Sequence, residues 1–207
     1  MSAPPDPPSS TDDVLRLFRE SGALLEGHFV LSSGMHSSFY LQCARLLMDP
    51  GRAERVCAAL KVRLCEQLPS LAVEATVAPA LGGVVLGYEL ARQLGTLALF
   101  VERVEGRFAL RRGFALEPGA SVIVAEDVVT TGLSTKECIA CVEERGAKVV
   151  AAACLIDRSG GRAELGVPLV PLARLDLPLY PPGCLPPELA ARPVDRPGSR
   201  HLARTPA

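Results

Sequence analysis

The sequence predicts an α/β fold: a central, mainly parallel sheet flanked by helices, with a small N-terminal subdomain and a projecting hairpin. Three observations carry that expectation. From residue 71 onward, apolar runs of strand length alternate with segments of helical periodicity, which is the signature of βαβ crossovers. Those runs are rich in Val, Ala, Leu and Ile, as strands buried on both faces must be. Ahead of residue 49 the pattern differs, with two extended runs around a polar turn.

Taken in order, Ser10 or Thr11 caps a first helix that carries Val14, Leu17 and Phe18 on one face and stops at Gly22. HFVL and SFYLQC then flank SSGMHS as two extended segments. Asp49 followed by Pro50 starts a second helix, with Val56, Ala59, Leu60 and Leu64 on its apolar side, running towards Pro69. LAVEATVAP is a strand, ALGG a turn, VVLGYELARQL a helix closed by Gly95, and TLALFV the next strand. ERVEGRFALRRGFALEPG places an EG pair between two β-prone runs, hence the hairpin. Strand SVIVA, an acidic loop, helix STKECIACVEER stopped by Gly146, and strand KVVAAACLI follow, and LVPLARL closes the core. The resulting division is a disordered tail over 1–10, one domain over 11–177 with its N-terminal subdomain in 11–48, and a proline-rich tail over 178–207.

Composition narrows the functional classes. A net charge of −1 with scattered basic residues gives no footprint for nucleic acid. No apolar stretch approaches the ~20 residues of a membrane span, and MSAPPDPPSS has neither the basic nor the apolar region of a signal peptide. Seven dispersed cysteines without paired spacing suit reduced thiols, and so the cytoplasm. The one CxxC, Cys138 and Cys141, reads as two small apolar residues on one helical face.

The stretch that carries chemistry is VIVAEDVVTTGLST, residues 122–135. Glu126 and Asp127 stand together at the end of a buried strand, where two carboxylates repel unless a polyhydroxylic or cationic group joins them. Ligands of open α/β sheets sit beyond the carboxyl ends of the strands, where helix N-termini present free N–H groups. Thr130, Thr131 and Ser134 add hydroxyls there, and Gly132 lets the backbone turn inward. Acids for a vicinal diol beside a cradle for phosphate describe a site for a phosphorylated sugar. The alternative is an ordinary acidic turn with a capped helix. Lys136 follows two threonines and a single glycine, which is not a P-loop, and LGGVVLG lacks dinucleotide spacing.

The same stretch resembles the diphosphate-sugar motif of type I phosphoribosyltransferases. FVLSSGMHSSFY, VAPALGGVVLGYELA and LIDRSGGRAELG extend the likeness over nearly the whole chain, to the orotate phosphoribosyltransferase family. The resemblance implies a type I phosphoribosyltransferase-like fold, orotate and 5-phosphoribosyl 1-diphosphate as substrates, Mg²⁺ held mainly through the substrate diphosphate and ribose hydroxyls, and a homodimer. By the same resemblance Glu126 and Asp127 hold the ribose hydroxyls and steady a ribose turning cationic, Thr130, Thr131, Gly132, Leu133 and Ser134 form the phosphate loop, and Val128 and Val129 between them complete the residues that bind the diphosphate sugar. Thr130 also lies beside the base. Arg158 matches the arginine that binds the orotate carboxylate, a role suited to a planar cation. Phe39 and Tyr40 match aromatics near the base, the alternative being a core pair. Gly82 and Gly83 match a segment against the diphosphate, the alternative being close helix–strand packing.

Two departures stand out. The hairpin has neither the two lysines nor the histidine of the better-known family loop, so Arg103 and Arg107 become the expected catalytic cations. A guanidinium neutralises departing diphosphate but cannot act as a general acid. Ser32 and Gly82 occupy positions that are lysine in some members. The family implies two competing expectations besides orotate transfer: transfer to a purine or uracil, and a sugar-phosphate-binding regulator without turnover.

Overall fold

The computed structural model describes residues 6–31 and 34–196. Ser10 opens α1 (Thr11–Glu20) with a reciprocal cap: its Oγ accepts from the Asp13 N–H while the Asp13 carboxylate accepts from the Ser10 N–H. Val14, Leu17 and Phe18 turn inward as their spacing requires. Ahead of the cap, Pro8 is buried and Arg55 Nε donates to the Asp6 carbonyl. β1 (Leu24–Val30) and β2 (His36–Leu41) pair antiparallel. The extended run SFYLQC stops at Leu41, and Cys43 begins a short helix, α2 (Cys43–Leu47), that apolar periodicity over so few residues could not declare. α3 (Pro50–Gln67) has Pro50 in its first turn and the Asp49 carboxylate accepting from the N–H groups of Gly51 and Arg52.

The main sheet holds β3 (Ala75–Pro79), β4 (Leu97–Val104), β5 (Arg107–Leu110), β6 (Ser121–Val129), β7 (Lys148–Asp157) and β8 (Leu169–Arg174), in the order β5-β4-β3-β6-β7-β8. All neighbours are parallel except β4 and β5. α4 (Val84–Leu94) and α5 (Leu133–Glu143) make two of the crossovers. The hairpin turns at Glu105–Gly106, both with positive φ, the geometry that matches strand twist, and its two strands form the sheet's edge.

Side chains alternate along β6 and divide the core in two. Ile123 and Ala125 face the layer with Leu46, Leu60 and Leu86, whereas Val122 and Val124 face Cys138, Ile139 and Val142 of α5. All seven cysteines are free, and Cys138 and Cys141 sit in that apolar layer. Burying each large aliphatic side chain here contributes about 1.5–3 kcal/mol.

Two expected boundaries move. The strand expected to begin at residue 71 starts at Ala75. More consequentially, Glu126 and Asp127 are not in a loop: β6 continues through them to Val129, because β7 runs alongside and pairs Val128 with Ile156 and Val129 with Asp157. Backbone pairing outweighs the repulsion of the two acids.

Beyond β8 the chain returns to the small sheet. β9 (Leu179–Tyr180) pairs with β2, α6 (Pro187–Ala190) follows, and β10 (Val194–Asp195) pairs with β1, giving the order β10-β1-β2-β9. Of the two proline-rich ends, residues 1–5 and 197–207 lie outside the described residues.

α4 lies so close to β3 that a Cβ on Gly87 would sit 2.7 Å from the Ala78 Cβ. Gly87→Ala, which in an open helix adds stability, is therefore expected to destabilise the chain by about 1–3 kcal/mol through overpacking. A urea unfolding midpoint below that of the wild type checks it.

Candidate active site

A cavity of about 740 Å³ opens at the carboxyl end of β6, where an α/β sheet binds its ligands. Its floor is the run Val128 to Thr135, which leads from the strand into α5, with Glu126 beneath. Gly132 makes the turn possible. Its φ is +77°, and an added Cβ would sit 2.7 Å from the Leu165 side chain, so any other residue is both strained and obstructed.

No side chain caps α5. Its first-turn N–H groups therefore stay open to the cavity, apart from a long 3.4 Å contact from the Leu133 N–H to Thr131 Oγ1. With the exposed Thr130 and Thr131 hydroxyls and half-buried Ser134, this is a cluster of donors at the positive end of a helix. An anion of phosphate size fits that chemistry.

The acid pair beneath the loop is electrostatically unusual. Glu126 is buried at 7% exposure, and its Oε2 has no hydrogen-bond partner among the described residues. Burial pushes its carboxyl well above the ordinary range, and the neighbouring Asp127 adds to the shift, while the Ser134 hydroxyl opposes it. Burial raises Asp127 as well, partly offset by the Val128 N–H, which donates to Oδ1 at 2.8 Å. Asp127 lies against Gly82, where an added Cβ would sit 2.9 Å from Oδ2, and its carboxyl remains close enough to that of Glu126 for the two to hydrogen-bond each other. The unpartnered Glu126 Oε2 leaves the pair able to accept a hydrogen bond from a hydroxylated ligand.

Arg158 enters the same cavity from the end of β7. Its N–H donates to the Val129 carbonyl at 2.8 Å, which ties it to the acid-bearing strand. Asp157, fully buried, pins the turn: its Oδ1 accepts from the Ser159 N–H at 2.8 Å and from Ser159 Oγ at 2.6 Å, and Ser159 Oγ accepts from the Ala163 N–H at 3.0 Å. Asp157 pairs with Arg174 at 3.4 Å and not with Arg158. That leaves the Arg158 guanidinium with a buried Nη2 that finds no partner among the described residues, and burial lowers its pKa. Arg158 thus lines the cavity with hydrogen-bonding capacity unspent, of the planar kind that suits a carboxylate.

The other expected residues separate into those the fold brings here and those it does not. Arg103 lines the cavity, held by an ion pair with Glu137 of α5, a bond of 2.8 Å to the Gly106 carbonyl, and the Phe108 ring 4.2 Å away. Arg107, also on the hairpin, is exposed and absent from the cavity wall. Gly82 and Gly83 are not part of the cavity wall: buried Gly83 is closely packed, with an added Cβ meeting the Ala125 carbonyl at 2.9 Å, whereas exposed Gly82 stands beside the Asp127 carboxylate. Phe39 packs against the core, and Tyr40 meets Phe29 with ring centroids 5.7 Å apart while lying close enough to Asp127 to feel its charge; neither is part of the cavity wall. Ser32 lies outside the described residues. Sequence reasoning missed Leu31, Ser159, Arg162 and Leu179, all of which line the cavity. Arg162 had a faint signal in RSGGR; Leu179 had none, since nothing local says where a proline-rich tail will pack.

The raised Glu126 carboxyl sets a pH dependence. Its neutral form is the one the fold favours, so the stability it contributes is complete below the ordinary value of 4.5 and is lost as pH rises through the higher folded value. Glu126→Gln is expected to remove that decline and to stabilise the ligand-free chain at neutral pH by about 0.5–2 kcal/mol. Thermal melts between pH 5 and 8 measure both effects; a variant that melts below the wild type at pH 8 refutes the assignment.

Comparison with known proteins agrees with this geometry. A phosphoribosyl transferase domain model matches residues 73–166, from the approach to β3 through the Arg158 turn. An orotate phosphoribosyltransferase of Rhizorhabdus wittichii is 58% identical over 189 residues, 91% of this chain and 96% of that one. The crystal structure of orotate phosphoribosyltransferase from Aeropyrum pernix superposes with a TM-score of 0.62 at 31% identity, covering 78% of this chain and 93% of that one. An adenine phosphoribosyltransferase from Saccharomyces cerevisiae also reaches 0.62, at 20% identity over 77% of this chain and 99% of its own, so the fold by itself does not choose the base. Sequence identity over nearly its full length, joined to the acid pair, the threonine loop and the Arg158 turn, places the chain in the orotate phosphoribosyltransferase family.

Proposed function

We propose that the chain transfers the 5-phosphoribosyl group of 5-phosphoribosyl 1-diphosphate to orotate, releasing diphosphate and forming orotidine 5′-monophosphate, a step of UMP biosynthesis. One observation carries the reading: a single cavity combines an open helix N-terminus, a buried carboxyl with an unpartnered oxygen, and a guanidinium with an unpartnered nitrogen. These match, in turn, a sugar phosphate, ribose hydroxyls and a planar carboxylate.

In this reading the 5-phosphate takes the N–H groups and hydroxyls of residues 130–134. The ribose 2- and 3-hydroxyls donate to Glu126 and Asp127. Arg158 receives the orotate carboxylate and aims the pyrimidine N1 at C1 of the sugar. As the bond from C1 to the diphosphate oxygen breaks, positive charge grows on the ribose ring, and the acid pair stabilises that charge more than it stabilises the ground state. Arg103, stiffened by Phe108 and Glu137, supplies a fixed positive charge to the anionic end of the substrate. Arg107 has no part in it unless the hairpin moves.

Mg²⁺ belongs to the same proposal. Among the described residues no cluster of three or more His, Cys, Asp or Glu side chains could cage a metal. The free Glu126 Oε2 with Asp127 fits the sparser arrangement magnesium favours, one or two carboxylates plus substrate oxygens and water. When bound, the ion would neutralise charge on the diphosphate. The homodimer is proposed on a surface feature: Val85 and Tyr88, three residues apart on α4, and Leu81 just before them expose apolar side chains beside the Gly82 turn.

Purified chain should consume orotate in an ultraviolet absorbance assay with 5-phosphoribosyl 1-diphosphate and Mg²⁺, and stop on chelation; turnover of adenine or uracil without orotate, or of no base at all, rejects the reading. Arg158→Ala should raise KM for orotate by roughly 10- to 100-fold and leave KM for the sugar diphosphate within about threefold. Sedimentation should give twice the chain mass for the wild type and a single chain mass for the double substitution Val85→Glu, Tyr88→Lys.

A further inference from the structure

We infer that the C-terminal segment is part of the active site, and that Leu179 is a specificity-determining residue forming the apolar wall against the face of the base. The inference rests on the orotate reading and names what that reading leaves open, namely which side chains meet the pyrimidine ring.

The cavity runs between the two sheets. Glu126, the threonine loop, Arg103 and the Arg158–Ala163 turn all belong to the main sheet and its connections. From the small sheet's side only Leu31 and Leu179 reach it among the described residues. Both are apolar, although the strands beside them carry His28, His36 and Ser37. Sugar hydroxyls and phosphates have no use for two leucines. A flat heteroaromatic ring does, since its edge bonds to donors and acceptors while its faces must be removed from water. With Arg158 on the opposite sheet taking the carboxylate, Leu31 and Leu179 are placed to cover the ring. Phe39 packs against the core, and Tyr40, which lies beside Phe29 near Asp127, is not part of the cavity wall.

Leu179 is held by more than its own two-residue strand. β9 pairs with β2 at Ser37 and His36, and β10 pairs with the far edge, at His28 and Phe29 of β1. The tail thus straps the small sheet at both edges. Buried His28 joins the two ends of the strap: its Nδ1, carrying a proton, donates to the Arg192 carbonyl at 3.3 Å, and its Nε2 shares a 2.6 Å hydrogen bond with Nδ1 of His36, the β2 residue that pairs with Tyr180. The strap sets the register of Leu179 through backbone and histidine contacts, independently of what Leu179 itself touches.

That independence makes the test clean. In the full-length chain, Leu179→Ser should raise KM for orotate about fourfold to tenfold, the effect of losing roughly half a leucine's burial from a half-exposed position. KM for the sugar diphosphate and the thermal midpoint should not move, and Leu179→Met, which keeps the volume, should stay within twofold of the wild type. An orotate KM unchanged in Leu179→Ser overturns the inference. So does a parallel rise in both KM values, which would mean that the tail serves the fold and not the base. A wild-type chain that turns over no orotate overturns the functional reading and this inference together, whereas turnover with an unmoved KM overturns this inference alone.

Discussion

The site depends on the parallel pairing of β6 with β7. Buried on both faces and joined to Ile156 and Asp157 beyond the acids, β6 cannot release its last residues into water, so Glu126 is carried into a dry setting that a free chain would avoid. The same ladder delivers Arg158 to the neighbouring strand end, one backbone hydrogen bond from Val129. A buried carboxyl oxygen and a buried guanidinium nitrogen, neither with a partner among the described residues, are thus products of one feature.

The cost of that arrangement is local, and the rest of the fold offsets it. Two apolar layers on the faces of β6 include Ile123, Ala125, Leu60 and Leu86 on one side and Val122, Val124, Ile139 and Val142 on the other. Burial on that scale tolerates one ill-matched carboxyl, as functional sites commonly require. The pinned turn at Asp157 and Ser159 has a similar logic, because it spends buried hydrogen bonds on holding backbone so that the adjacent arginine side chain stays free.

Two sheets with different tasks meet at the cavity. The main sheet contributes charge and hydrogen-bond donors, the groups that act on a sugar phosphate. From the small sheet come leucines, delivered by a turn and by a returning tail. Polar and apolar walls of the cavity thus come from different sheets, and the same fold serves proteins named for orotate and for adenine.

Local rules were enough for much of this. Strand and helix periods identified β3 to β8 with α4 and α5, Ser10 and Asp49 marked their helices, and the run from Glu126 to Ser134 marked the candidate site because acids, threonines and a glycine stand together at a strand-to-helix junction. Those features were legible because each is written within a few residues of chain. Tertiary structure alone decided that β6 runs past its acids, since only the neighbouring β7 supplies the pairing. It also separated Arg103 from Arg107, left Phe39 and Tyr40 out of the cavity wall, and brought Leu179 to it across some 150 residues from Leu31. In each case the outcome depends on which distant segment lies alongside, a long-range contact whose free energy is not encoded in the neighbouring residues.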